Sequence, residues 1–376
     1  MNIDTKVLQH YVNSARIPYS SLLAQVNHLD LFLSGEKQPT FTQLVNIAKK
    51  LNIPTGLLLL KHPVELKKQR LEFRSSGLMS LERMSEELRD IILEMEDKQA
   101  FLREEIDFTL DFIKMCSRQD GVRRVADIVR RYLQVDIDFQ KSLRKGTLLH
   151  FLRTKINEMG VFVFLNGKVG DNTHRPLRIE EFRGFVISDN KAPIIFINQK
   201  DESESGKVFT LIHELVHLFL GEDEILTENG TNYESNDAVE IFVNQVTAEI
   251  LVPEESFLEV IADSSFIEFT NDAIRELADD YKVSRLMIVR RLYDLGKINQ
   301  KDYRAKTQQL MQELRANQRD KKSSGGDYAN NLKFRVDKKF FAYVQQALQQ
   351  NKISYTEAFR LIGVSYKGYK TLAKEV

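Results

Sequence analysis

Two histidines four residues apart enclose a glutamate in His213-Glu214-Leu215-Val216-His217. On a helix, residues i and i+4 lie one above the other, so both imidazoles reach a single ion. Neutral imidazole is a common zinc ligand, at roughly 2.0–2.1 Å from the metal. A carboxylate between the two ligands is placed to act as a general base. That combination suits metal-assisted hydrolysis of a peptide bond. The surroundings agree: Val208 to Leu220 reads V-F-T-L-I-H-E-L-V-H-L-F-L and then meets Gly221, a helix stop. Two imidazoles and a carboxylate in so apolar a helix are costly unless paired or metal-bound.

A zinc site needs a third protein ligand. The extended metzincin pattern would place Gly at position 220 and His at 223, where this chain has Leu220 and Asp223. Glu222, Asp223 and Glu224 follow Gly221 and could fold back. A carboxylate from a second helix gives a better geometry, as in sites of two histidines and one glutamate that leave the fourth position to water. The segment Asp237 to Leu251 reads as that helix, with Val239, Phe242, Val243, Val246 and Ile250 as its apolar stripe. Glu240 and Glu249 flank the stripe on opposite sides, and periodicity alone does not choose between them. Tyr233, His150 and His174 are candidates for stabilising an oxyanion. The run Ile194–Ile197, ending in Asn198, reads as a short strand. At a sheet edge it could take an extended substrate by backbone hydrogen bonds.

The sequence H-E-L-V-H followed by V-E-I-F-V-N-Q-V-T-A-E-I-L-V-P (Val239 to Pro253) resembles the ImmA/IrrE family of zinc metallopeptidases. Glu181–Phe185 (E-F-R-G-F) and Ala192–Asn198 (A-P-I-I-F-I-N) fit the same pattern, and the resemblance covers roughly residues 145–305. It implies that His213, His217 and Glu240 hold zinc, that Glu214 is the general base, and that Asn244 supports the site. Thr247 stands where the family more often has alanine.

The fold class expected is α+β, mostly helical, with a small sheet in a zincin-like peptidase domain. Residues 1–62 resemble an Xre-type helix-turn-helix domain, with segments Ser20–Val26 and Leu29–Leu33 before Gly35. Thr40-Phe41-Thr42-Gln43 then has capping-box form, and Leu44, Ile47, Ala48 and Leu51 carry helical periodicity. No Lys or Arg lies between Arg16 and Lys37, where the first readout helix should be. Residues 63–146 read as a charged helical connector, its stripe running through Leu81, Met84, Leu88, Ile91, Met95, Leu102, Ile106, Leu110 and Ile113. Such a stripe packs on a neighbour or forms a homodimer contact. The peptidase domain is expected at 147–310, including a second helix-turn-helix-like pattern at 273–295 made basic by Arg285, Arg290 and Arg291. Packing is the favoured role for that pattern. Residues 316–331 read as a flexible linker, and 332–376 as a basic helical tail.

Equal counts of Lys+Arg and Asp+Glu, 54 each, provide no global attraction to nucleic acid. One cysteine, Cys116, forbids an internal disulfide and fits a reducing compartment. With no membrane-length apolar run and no signal-peptide core, a cytoplasmic location is expected. The resemblance implies a regulatory zinc endopeptidase that cleaves a repressor or partner protein in a stress, mobile-element or phage-defence pathway, its activity latent until a signal arrives. The alternative is an antitoxin-like transcriptional regulator that binds DNA and a cognate toxin, with a structural or sensory zinc.

Overall fold

A computed structural model describes residues 3–14, 19, 22–23, 26–51, 53, 55–63, 84–221, 238–263, 268–319 and 328–374. The chain divides into two units, Met1–Phe73 and Arg74–Val376.

The smaller unit is helical: α1 (Thr5–Ser14), α2 (Leu29–Ser34), α3 (Phe41–Lys50) and a 3₁₀ turn at Thr55–Leu59. Helix α3 starts as its sequence dictates. Thr40 Oγ1 accepts the Gln43 N–H at 3.3 Å, and Gln43 Oε1 accepts the Thr40 N–H at 2.9 Å. Leu44, Ile47, Ala48 and Leu51 are buried against Val7, Leu8 and Phe32. Most of the expected Ser20–Val26 helix lies outside the described residues.

The larger unit is built on a three-stranded sheet: β1 (Phe162–Asn166), β2 (Gly184–Ile187) and β3 (Ile194–Asn198), in the order β1-β3-β2. Strand β1 runs parallel to β3, and β2 antiparallel. The run Ile194–Ile197 is therefore central, not an edge: both of its ladders are used, and no substrate can add to it. All of β1 and β3 is buried, which requires cover on both faces. Val163, Leu165, Val186, Ile195 and Ile197 face one core with α7 (Glu204–Leu220). The alternate residues face the other side, where Phe185 stacks on Phe196 at 5.1 Å between centroids and Phe164 meets Phe340 edge-on at 5.3 Å.

That second face is closed by segments expected to be peripheral. Helix α4 (Glu86–Glu105) packs on β3, and its Gln99 side chain donates to the Ile187 and Ala192 carbonyls at 3.1 and 3.0 Å. The stripe expected to continue through Ile106, Leu110 and Ile113 leaves the helix at Glu105, because the following backbone bonds elsewhere. Leu110 N–H donates to Asn190, Lys114 to Leu218 and Cys116 to Phe219, the last two satisfying end carbonyls of α7. Helix α5 (Val122–Leu133) packs along α8 (Ala238–Leu251). Residues 84–146 are thus part of the larger unit rather than a solvated connector; Leu81 lies outside the described residues.

The expected tail is likewise docked. Of the linker 316–331, residues 316–319 end helix α12 (Gln300–Arg319), 328–331 begin α13 (Tyr328–Arg335), and the part between lies outside the described residues. Beyond α13 come α14 (Lys338–Gln349), α15 (Tyr355–Ile362) and α16 (Tyr366–Ala373). Asp337, fully buried, caps α14 by accepting the Phe340 N–H at 3.0 Å, and its other oxygen accepts the Val163 N–H at 2.9 Å. Arg153, on α6 (Leu148–Glu158), donates to the Val163 carbonyl at 2.7 Å and the Val336 carbonyl at 3.1 Å. Those two side chains satisfy the outward backbone groups of β1 at Val163, so part of that sheet edge is closed. No described helix is long and apolar enough to cross a membrane.

Candidate metal centre

Helix α7 is fixed at both ends and along its length. Ser203 caps its start by accepting the Gly206 N–H at 3.1 Å, and Gly221 ends it at φ 68°. A Cβ on Gly221 would fall 2.0 Å from Lys114 Cγ, so the capping segment can cross there only over a glycine. A Cβ on Gly184 would meet Thr210 Cγ2 at 2.5 Å and the Phe196 carbonyl at 2.9 Å. Glycine thus lets α7 lie directly on β2, one turn before His213.

On this helix the two imidazoles come together as the spacing requires: His213 Nε2 and His217 Nε2 are 3.1 Å apart. Glu240, in the first turn of α8, faces them, with Oε2 3.3 Å from His213 Nε2 and Oε1 3.1 Å from His217 Nε2. Ligands at a tetrahedral zinc, each about 2.0–2.1 Å from the ion, stand about 3.3 Å from one another. The three side chains match that spacing. Two imidazole nitrogens and a carboxylate turned to one point need a shared cation or protons to offset their mutual repulsion. The donor set of two histidines and one glutamate fits zinc and leaves a fourth position.

Burial works to raise the Glu240 carboxyl, but its bonds to both imidazoles prevail and hold it well below the usual carboxylate range. Burial opposes charge on His213, yet Glu240, Glu214 and the neighbouring Asn244 together raise its pKa. Asn244 stands one turn beyond Glu240, beside His213, where a supporting residue would hold the ring. Glu214 is only 7 % exposed. Desolvation, helped by the Glu240 charge and opposed by His213, pushes its carboxyl up to about 8. A divalent cation beside it would pull that value down and keep the carboxylate ionised.

Glu249, the rival third ligand, has a different occupation. One oxygen takes a short bond from Arg291 of α11 (Arg285–Asp294), and the other accepts the Glu254 N–H at 3.2 Å. Arg130 of α5 donates to the Glu249 carbonyl, and Gln140 donates to the Leu251 carbonyl at 2.8 Å. These residues anchor the end of α8 whose beginning carries Glu240. Nothing in the local spacing of Arg130 or Gln140 signals this, since their partners lie more than a hundred residues away in the chain. Tyr233 and the acidic run Glu222, Asp223 and Glu224 lie outside the described residues. His150 and His174 are both exposed, on α6 and in the turn after β1.

The pattern at 273–295 forms α10 (Asn271–Tyr281), a turn, and α11. Arg291 is buried against Glu249, Arg290 pairs with Asp294 at 2.8 Å, and Arg285 with Glu313 at 2.9 Å. Its basic side chains are engaged within the protein, as packing requires.

Residues 157–293 match the family model of the IrrE N-terminal-like domain, peptidase family M78. The match supports the ImmA/IrrE resemblance over that stretch, which contains all three strands, the histidine pair, Glu214 and Glu240. No curated protein and no solved structure matches the chain.

Proposed function

We propose that the larger unit is a zinc-dependent endopeptidase acting on a repressor-like protein, with residues 1–62 a helix-turn-helix module that addresses it to DNA or to a protein partner. The observation that carries the reading is the convergence of His213, His217 and Glu240 at ligand spacing, with Glu214 one residue from the first ligand. Zinc, when bound, supplies a Lewis acid for the scissile carbonyl and an acidified water. Glu214 accepts the proton of the attacking water and returns it to the leaving amine. Asn244 keeps the His213 ring in register. With β3 central and β1 closed at Val163, β2 is the strand left for an extended substrate, which would then run beside α7. Tyr233 is the oxyanion partner we assign, on its position just before α8.

A specific observation favours a regulatory alternative for the smaller unit. Phe41 and Val45, one turn apart on α3, are exposed, as are Leu59 and Leu60. Together with the absence of Lys or Arg between Arg16 and Lys37, this suits a protein partner such as a cognate toxin better than phosphate. The experiment is a side-by-side assay of wild type, Glu214→Gln and His213→Ala in cells carrying the candidate repressor. Glu214→Gln should keep zinc while repressor cleavage falls by about 10²–10⁴. If Glu214→Gln acts like wild type while His213→Ala fails, the metal is structural or sensory and the peptidase reading falls.

A further inference from the structure

The chain repeats one turn architecture at two places and gives the copies different electrostatics. In the first, α10 ends on Lys282 in the left-handed region, Val283 N–H bonds to the Ala278 carbonyl at 3.0 Å, and Ser284 starts α11. In the second, α15 ends on Gly363 at φ 75°, Val364 N–H bonds to the Phe359 carbonyl at 3.0 Å, and Ser365 starts α16. Both are two helices joined by three residues, the geometry of a helix-turn-helix. The arginines of the first copy are all paired within the protein. Among the described residues, Lys367, Lys370 and Lys374 of the second are not.

Helix α16 packs through Gly368 and Leu372, both buried. A Cβ on Gly368 would meet Val364 Cβ at 2.9 Å, Tyr328 Oη at 3.3 Å and Leu332 Cδ2 at 3.4 Å, so that face is held close to the turn and to α13. The opposite face presents Tyr366, Lys370 and Lys374 at successive turns, with Lys367 beside them, all exposed. Lys370 sits 4.8 Å over the Tyr366 ring. No ion pair engages these three lysines among the described residues. The acidic groups of α4 beside α14 and α15 belong to other contacts: Asp97 pairs with Arg360 at 2.8 Å, Glu94 with Lys98 at 2.8 Å, and Glu105 with Lys352 at 2.8 Å. From Lys352 to Lys374 the chain carries five basic side chains against one acidic, Glu357. In a chain of zero net charge this is a local excess on the second helix of a helix-turn-helix.

We propose that α15 and α16 form a site for duplex DNA, with α16 facing the groove and Lys367, Lys370 and Lys374 contacting backbone phosphates. Tyr366, at the start of the second helix, occupies the position from which such helices reach base edges. The unpaired lysines supply the sequence-independent part of the affinity through counterion release. The stripe of an aromatic ring and lysines at one-turn spacing makes a ridge rather than a pocket, which fits a groove better than a small anion.

The test uses the full zinc-loaded chain and a labelled duplex oligonucleotide of arbitrary sequence, titrated at several salt concentrations. Lys367→Glu/Lys370→Glu/Lys374→Glu is compared with Lys145→Glu/Lys301→Glu/Arg304→Glu, an equal charge change at other exposed sites. Retained zinc content reports that both variants are folded. The tail variant should bind at least about tenfold more weakly, and its slope of log affinity against log salt should shrink by about 2.7, roughly 0.9 for each phosphate that is no longer neutralised. The control should keep a slope close to wild type. Equal losses in both variants, an unchanged slope in the tail variant, or no binding by wild type would each overturn the proposal. Competition by single-stranded oligonucleotide as strong as by duplex would overturn the assignment to duplex DNA.

Discussion

Glu240 and Glu249 lie on one helix and are similarly buried, so removing each carboxylate isolates the role of its partners. Glu249→Ala leaves Arg291 facing an empty position, and an arginine cannot shed its proton to escape burial. Breaking one partner out of a buried pair costs about 3–5 kcal/mol. The same change removes the acceptor for the Glu254 N–H that starts α9 (Glu254–Asp263). For a folded unit of roughly 300 residues, 1 kcal/mol moves the melting temperature by about 1.6 °C, so the drop should be about 5–8 °C. Glu240→Ala leaves two imidazoles, which can stay neutral, so the metal-free fold should lose less. It also removes one of the three side chains proposed to hold zinc. Melting curves of chelator-treated and zinc-loaded full-length protein, with metal analysis, read both effects. Glu249→Ala should lower both curves alike and keep zinc. Glu240→Ala should abolish the gap between them and lose the metal. If Glu249→Ala stays folded but loses zinc while Glu240→Ala retains it, the ligand assignment is refuted.

Gly184→Val should destabilise the larger unit by about 1–3 kcal/mol, because its side chain has no room between Thr210 and the Phe196 carbonyl; a chemical melt indistinguishable from wild type would contradict the close seating of α7 on β2. Burial, reinforced by Asp97 and opposed by Arg103, raises the Glu96 carboxyl to about 7 from 4.5. A raised carboxyl makes the unfolded chain the readier to ionise, so stability should fall as pH climbs from about 4.5 to 7 and then level off. Glu96→Gln should flatten that decline and gain about 1–3 kcal/mol above pH 7, after allowance for solvent screening; an unaltered pH profile would refute the assignment. Deleting residues 1–62 should abolish binding to a cognate toxin or repressor in a pull-down if the exposed apolar side chains of α3 form its docking face. Undiminished capture by the truncated chain would move that role to the larger unit.

Local signals in the sequence went far. The spacing of His213 and His217, the capping box at Thr40 and Gln43, and the strand at 194–197 are each dictated within a few residues. Each reappears in the structure as that local chemistry requires. Choosing between Glu240 and Glu249 is different. Both sit on one helix in similar surroundings; the family resemblance assigns Glu240, but the physical reason, the engagement of Glu249 by Arg291, lies forty-two residues further on. The sheet order was equally out of reach. An all-apolar strand such as β3 is expected to be buried, but whether it is central depends on its pairing with Gly184–Ile187, which no local pattern in either segment fixes. The stripe through Ile106, Leu110 and Ile113 was misleading for a physical reason. Apolar residues at helical spacing also serve an extended segment whose backbone caps another helix.

The docked segments explain why the candidate metal centre is a property of more chain than the stretch matched to the IrrE-like domain. The proposed ligands reside on α7 and α8, yet α7 ends on carbonyls satisfied by Lys114 and Cys116, and α8 ends on carbonyls satisfied by Arg130 and Gln140. All four donors precede residue 157. The sheet beneath α7 is closed on its far face by α4 and by Phe340 of α14, and at its β1 edge by Asp337. Ligand positions must hold to about 0.5 Å for productive geometry, and two helices cannot achieve that alone when their buried ends lack partners. A piece cut at 157–293 would keep every ligand and lose the capping donors on one side and the sheet cover on both. It should therefore bind zinc more weakly than the full chain although its ligand set is complete. Equal zinc affinity in the two, measured by competition with a chelator, would show that the helices position the ligands without that frame.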